Sequence, residues 1–294
     1  FIIFYEILQF CHNRWNYPVV KKIPIDELQN LWYKRDNKNK LRDEGNRGEK
    51  MIKAYAKSDI GKVREINQDY YYISDSLDEV QLYMLADGMG GYNGGEIASK
   101  LAIQSAKSYI ENNFKEIEKD KESIIQLVAS SMEYANMVVY EKAKSDAQLE
   151  GMGTTLEVCV IYNNKAYIGH IGDSRIYRIR KEFIRKLTQD HSYVQKLVKD
   201  GTITQEQAVH HPQKNMLMKA LGCNAFVEPD VMVKGFLKED ILVMTSDGLT
   251  NMVSQEEIFK QAKKDIEQAP KELVKQANEN GGYDNITVIV IKNI

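Results

Sequence analysis

Asp87 follows directly on an apolar run, Val80–Ala86 (VQLYMLA), and opens the stretch Asp87-Gly88-Met89-Gly90-Gly91. A carboxylate at the end of a buried strand is costly unless something cationic meets it. The glycines behind it let backbone approach a ligand closely. A divalent cation held by the carboxylate and a backbone carbonyl satisfies both features. The alternative is a turn capped by Asp87, with glycines at positive φ. The arrangement recurs. Asp240–Thr245 (DILVMT) is another apolar run, and it ends in Ser246-Asp247-Gly248. Gly281-Gly282-Tyr283-Asp284-Asn285 sets a third acid before Ile286–Ile291, and Asn67-Gln68-Asp69 sets a fourth before Tyr70–Ser74. One such acid is usually a cap; four favour a hard-cation site built from oxygen ligands. Histidine and cysteine are absent from these segments, which argues against zinc.

Arg64 lies five residues before Asp69. A guanidinium beside a divalent cluster suits a phosphate held by two parallel hydrogen bonds, and the plain alternative is a surface residue. Gly172-Asp173-Ser174-Arg175 joins two strands and, on its own, reads as a tight turn. His170 alternates along a strand as a packed core residue would. His191 follows Asp190 at a position suited to capping a helix. His210 and His211 stand before Pro212 in a polar excursion and read as a solvated loop. No serine shows a nucleophile-elbow pattern, and no glycine-rich loop matches a nucleotide cradle.

The elements that must position these residues come in blocks. Short strands are expected at 53–57, 70–74 and 80–86, followed by helices at 95–114 and 121–145. In the second helix Ile124, Val128, Met132, Ala135 and Val139 share one face. Strands follow at 155–162, 165–171 and 175–179, with Asn163-Asn164 as a hairpin signal. Residues 191–212 read as short helices in a surface excursion. Strands at 227–236 and 240–245, helices at 255–264 and 270–280, and a last strand at 286–291 complete the pattern. Blocks of strands with hairpin-length links argue for antiparallel sheets packed between helix pairs, not a doubly wound parallel sheet.

The 294 residues are 43% hydrophobic and 28% charged, ample for a sizeable core, and the formal net charge is −2. That balance gives no electrostatic case for nucleic acid or an anionic membrane as a partner. Phe1–Cys11 is apolar-rich but interrupted by Glu6, and is shorter than the roughly 20 residues a membrane span needs. The three cysteines, Cys11, Cys159 and Cys223, are scattered and odd in number, so a reducing cytoplasm is the simplest reading. The chain changes character near Met51. Residues 34–50 are charged without apolar periodicity. Residues 1–50 are therefore expected to be an N-terminal extension, disordered or not native, with 51–294 as the domain that carries the chemistry. A chain beginning at Met51 should then keep its melting temperature and kcat/KM.

Taken together, the segments SDIGKVREINQD (58–69), LADGMGGYNGGEIAS (85–99), GMGTT (151–155), HIGDSRIYRI (170–179), LTQDHSYVQKLVKDG (187–201), HPQKNMLMKALG (211–222), MTSDGL (244–249) and GGYDNITVIVI (281–291) resemble the metal-dependent type-2C serine/threonine protein phosphatases, especially the compact bacterial members. The resemblance runs from about Ala54 to Ile291. It implies an α+β fold, an αββα sandwich of two antiparallel sheets flanked by helix pairs. It implies hydrolysis of phosphoserine and phosphothreonine in proteins by a water activated by two Mn²⁺ or Mg²⁺ ions, opposing a serine/threonine kinase. By position, Asp87 matches the acid bridging the ions and Gly88 the residue lending a carbonyl. Asp247 and Asp284 match further ligands, and Asp69 an acid near the second ion. Arg64 matches the phosphate-binding arginine. Asp173, with Asp247, matches a weaker third metal site, which replaces the plain-turn reading. Residues from about 192 to 220 match a mobile flap beside the cleft.

Two positions depart from the family pattern. Gln68 stands where many relatives carry Glu, so a carboxylate is lost there. Met89 stands where eukaryotic members have a histidine proposed as general acid, which leaves the leaving-group proton donor unassigned. The alternative function is a catalytically inactive binding module on the same fold; the presence of all four metal acids argues against it. A cytoplasmic monomer acting on phosphorylated proteins, with no membrane or nucleic-acid partner, is the expectation.

Overall fold

The structure is a computed structural model, and it describes residues 52–75, 80–90 and 94–294. The expectation for residues 1–50 lies outside the described residues. Two antiparallel sheets organise the rest. One runs β1 (Ile52–Asp59), β11 (Ile286–Asn293), β10 (Ile241–Thr245), β7 (Arg175–Arg180) and β8 (Phe183–Lys186), each hydrogen-bonded to the next. The other runs β2 (Asp69–Ile73), β3 (Gln81–Met89), β5 (Leu156–Tyr162), β6 (Lys165–Ile171) and β9 (Asp230–Gly235), with the two-residue β4 (Gly153–Thr154) beside the end of β3.

The strands are apolar on both faces because both faces are covered. In β3, Leu82, Met84 and Ala86 point to helices α1 (Gly94–Asn113) and α2 (Lys121–Ser145), while Tyr83 and Leu85 point to the other sheet. In β11, Val288 and Val290 face helices α6 (Gln255–Lys264) and α7 (Ala269–Glu279), and Ile289 and Ile291 face inward. Three cores result: one between the sheets and one under each helix pair. This is the predicted αββα sandwich. The α2 stripe Ile124, Val128, Met132, Ala135 and Val139 is fully buried, as its spacing predicts. Asp120 caps this helix, accepting from the Ser123 backbone N–H at 2.8 Å.

The Asn163-Asn164 hairpin forms with both residues at positive φ, +48° and +59°, as a type I′ turn requires. Other expectations shift. Strand β3 runs on through Met89, so Asp87 lies inside the strand, directly opposite Asp69 of β2. The Gly172–Ser174 turn is no hairpin: β6 belongs to one sheet and β7 to the other, so the chain crosses between sheets there. Strands β4 and β8 and the one-turn helix α5 (Asp247–Thr250) carry no clear signal, being two, four and four residues long. The polar excursion forms α3 (Tyr193–Lys199) and α4 (Gln205–Val209). Among the described residues, no helix is long and apolar enough to cross a membrane.

Candidate active site

The acids singled out in the sequence converge at the strand ends. Asp69 and Asp87 face each other across β2 and β3. Asp247 opens α5 after β10, and Asp284 ends the loop before β11. Asp69 is buried; Asp87, Asp173, Asp247 and Asp284 are half-buried, so they remain partly open to water. The sheets are tied at this point. Ser246 Oγ donates to Asp69 Oδ2 at 2.7 Å and accepts from the Thr287 backbone N–H at 3.0 Å. The Ser246 hydroxyl thus links Asp69 of one sheet to the backbone of β11 in the other.

Close backbone packing leaves no room for side chains at the glycines. A Cβ on Gly88 would stand 2.0 Å from the Gly95 carbonyl oxygen and 2.7 Å from that of Gln68. A Cβ on Gly248 would stand 2.0 Å from the Asn285 carbonyl oxygen. Space, not positive φ, dictates glycine at both positions; Gly90, at φ +144°, also needs the freedom. Thr155 N–H and Thr154 Oγ1 both donate to the Asp87 carbonyl at 2.9 Å, and Asp87 N–H donates to Thr155 Oγ1 at 2.9 Å. The Asp87 carboxylate is thus carried on a backbone held from three directions.

Burial and mutual repulsion dominate the electrostatics of these acids. Desolvation, then repulsion from Asp69, Asp247, Asp173 and Asp284, pushes Asp87 well above the usual carboxylate range. Asp69 is pushed up to about 7 by burial, with Asp247 and Asp284 adding repulsion against the hydrogen bonds from Thr287 and Ser246. Asp173 is pushed up to about 7 by desolvation and then by Asp247. Asp247 is raised by desolvation and by Asp284. Asp69 Oδ1 is buried with no hydrogen-bond partner. A buried, unpaired carboxylate oxygen facing further acids fits divalent cations, which would reverse every one of these shifts. Among the described residues, no three His, Cys, Asp or Glu side chains close around one point by themselves.

Arg64, half-exposed, donates from Nη2 to Asp284 Oδ2 at 2.8 Å, at the edge of the acids. Gln68, the first departure, turns its backbone to the site's support: its carbonyl accepts from Gly88 N–H at 3.1 Å and Ser99 Oγ at 2.6 Å. Met89, the second, packs toward Gly153, where a Cβ would stand 2.7 Å from the methionine methyl.

Sequence reasoning left Asn285 without a role. Its Nδ2 donates to the Ile60 and Ile66 carbonyls at 2.9 and 3.0 Å, and its Oδ1 accepts from Gln68 N–H at 2.8 Å. One amide thus fixes the loop carrying Arg64 against the loop carrying Asp284. Its place beside Asp284 was the only signal available. Glu157 was also missed. It is fully buried opposite His170 on the next strand, with Oε1 2.5 Å from His170 Nδ1. Burial opposes a charge on His170, and Glu157 outweighs it, so His170 is raised. His170 is in the core as expected, but as half of a polar pair.

His191 does not cap α3; Ser192 does, accepting from Gln195 N–H at 3.3 Å. His191 instead clasps the crossover turn. Its N–H donates to the Gly172 carbonyl at 2.7 Å, and its Nδ1 accepts from Gly172 N–H at 3.2 Å. Its Nε2 lies 3.1 Å from Asp230 Oδ2, and its carbonyl accepts from Met218 N–H at 2.8 Å. Burial and the neighbouring His170 push its pKa down to about 4, leaving the ring neutral and Nδ1 free to accept. Asp173 is thereby held at the base of the 192–220 excursion. His210 is exposed and His211 half-buried within that excursion, away from the acids.

With this geometry in view, the comparisons are direct. Residues 62–282 match the family model for protein phosphatase 2C. The serine/threonine phosphatase stp of Listeria innocua is 35% identical over 241 residues, covering 80% of this chain and 94% of the relative. The solved serine/threonine phosphatase of S. agalactiae superposes with a TM-score of 0.76 at 37% identity, covering 83% of this chain and all of that one. The catalytic domain of the serine/threonine protein phosphatase PstP, solved in complex with two manganese ions, superposes with a TM-score of 0.72 at 33% identity, covering 82% and 97%. The chain belongs to the protein phosphatase 2C family and is a metal-dependent serine/threonine protein phosphatase.

Proposed function

We propose that Asp69, Asp87, Asp247 and Asp284, with the Gly88 carbonyl, hold two Mn²⁺ or Mg²⁺ ions, and that Asp173 with Asp247 offers a weaker third site. The observation that carries this reading is the unpartnered, buried Asp69 Oδ1 among mutually repelling acids. When bound, two such ions supply Lewis acidity toward a phosphoryl group and activate water at neutral pH. The chain's own residues do the rest. Arg64 holds the substrate phosphate and meets charge on its equatorial oxygens. Ser246 orients Asp69 by its hydrogen bond. The Thr154–Thr155 clasp on the Asp87 backbone fixes the carboxylate at the cleft floor.

Residues 51–294 form the catalytic unit in this reading, a cytoplasmic monomer whose substrates are phosphorylated proteins and which reverses a serine/threonine kinase. Asp247→Asn tests the site. It removes one charge from the cluster while keeping the shape. We expect kcat on a phosphothreonine peptide to fall about 10²-fold or more. Wild-type turnover in that variant would mean the acids are misassigned.

A further inference from the structure

Two loops at the edge of the acids are joined into one platform. Lys62 N–H donates to the Gly282 carbonyl at 2.7 Å. Asp59 Oδ1 accepts from Gly61 N–H at 3.0 Å and from Asn278 Nδ2 at 3.1 Å. Gly61 sits at φ +83°, and a Cβ there would stand 2.3 Å from the Asp284 carbonyl oxygen. Asn285 ties both loops to Gln68 and to the carbonyls of Ile60 and Ile66. Arg64 and Asp284 meet across this platform at 2.8 Å.

Three large apolar side chains stand in water on the same two loops. Val63 is 60% exposed, Tyr283 63% and Ile60 37%. Val63 precedes Arg64, and Tyr283 precedes Asp284. The Tyr283 ring lies back over Gly281, where a Cβ would stand 2.5 Å from a ring carbon. Single exposed apolar residues need no explanation. Three on a rigid, cross-braced rim beside an anion-binding arginine are different, because a preorganised aromatic loses little entropy when a ligand covers it.

We propose that Ile60, Val63 and Tyr283 form a specificity rim that takes an apolar side chain one or two residues from the phosphorylated Ser or Thr of a substrate peptide. The inference rests on Arg64 holding the substrate phosphate. Consecutive Cα atoms are about 3.8 Å apart, so the residues flanking a phosphate anchored at Arg64 are within reach of Val63 and Tyr283. No side chain of the rim touches the reacting atoms; it sorts substrates by what flanks the phosphate.

The test uses the full chain with Mn²⁺ and three substrates. Two are phosphothreonine peptides differing only in Leu or Ser beside the phosphothreonine, and the third is p-nitrophenyl phosphate, which has no flanking residue. We expect wild-type kcat/KM to favour the Leu peptide by about 5-fold or more, below the range for an enclosed apolar pocket because the rim is open. In the Val63→Ser/Tyr283→Ser double variant the preference should vanish through KM. Turnover of p-nitrophenyl phosphate should stay within about 2-fold, which also shows that the variant folds. Equal handling of both peptides by the wild type, or an undiminished preference in the variant, would overturn the rim. Loss of p-nitrophenyl phosphate turnover in the double variant would place these residues in the machinery itself and overturn it too. Absence of that turnover in the wild type would instead sink the phosphatase reading beneath it.

Discussion

Arg64 and Asp69 do different work a few ångströms from the same acids. Arg64 is half-exposed and paired to Asp284 at 2.8 Å, so its removal leaves the buried floor in place. A charged hydrogen bond contributes about 1.5–3 kcal/mol. Arg64→Ala should therefore lower kcat/KM on a phosphopeptide by about 10- to 100-fold, mainly through KM, with little change in metal affinity. Unaltered kinetics would return Arg64 to the surface. Asp69 carries a pH signature. Without metal, its folded pKa of about 7 lies above its unfolded value near 4. The folded state then binds the proton more tightly. Its contribution to stability is complete below about pH 4 and is lost as pH rises through about 7. Asn at this position does not titrate. In excess chelator, the melting temperature of Asp69→Asn relative to wild type should rise between about pH 4 and 7 and level off above that. A difference that stays flat with pH would mean that burial, helped by the neighbouring acids, does not hold the proton on Asp69.

At the scale of the elements, the two sheets hold the site only as firmly as the polar pairs buried within them. Glu157 and His170 are fully buried on adjacent strands, and Gln189 accepts from His170 through its carbonyl at 2.8 Å. Removing one partner of such a pair costs about 3–5 kcal/mol. Glu157→Ala should lower the melting temperature by roughly 10 °C, at 2–4 °C per kcal/mol for a domain of this size; a loss under about 2 °C would show that the pair contributes little. Glu157 was illegible in the sequence because an acid in LEVCVIY reads as an outward-facing residue. The alternation of β5, by contrast, buries it between the sheets. The long elements were legible for the opposite reason. Five residues on one face of α2 and two-faced apolar runs in β3, β10 and β11 leave one way to cover them. The short β4, β8 and α5 arise from tertiary pairing, which local composition does not record. The crossover at Gly172 is of the same kind: a three-residue link reads alike whether its strands share a sheet or not. His191 looked like a helix cap because its bond to Gly172 spans 19 positions.

At the scale of the whole molecule, the fold brings four separated chain segments to one end of two sheets. The sequence placed Asp69, Asp247 and Asp284 at strand ends and Asp87 just past a strand that in the structure runs through it. It did not show that Ser246 and Asn285 bind those segments together, since bonds such as Ser246–Asp69 close over 177 positions. If these acids hold the ions as proposed, the cation should control activity outright. The most direct measurement is release of inorganic phosphate from a phosphothreonine peptide by the full chain, with Mn²⁺ and with excess chelator. Turnover should appear with the metal, vanish with chelator and return when Mn²⁺ is restored. Full turnover in a metal-free preparation, or none with saturating Mn²⁺, would contradict the account.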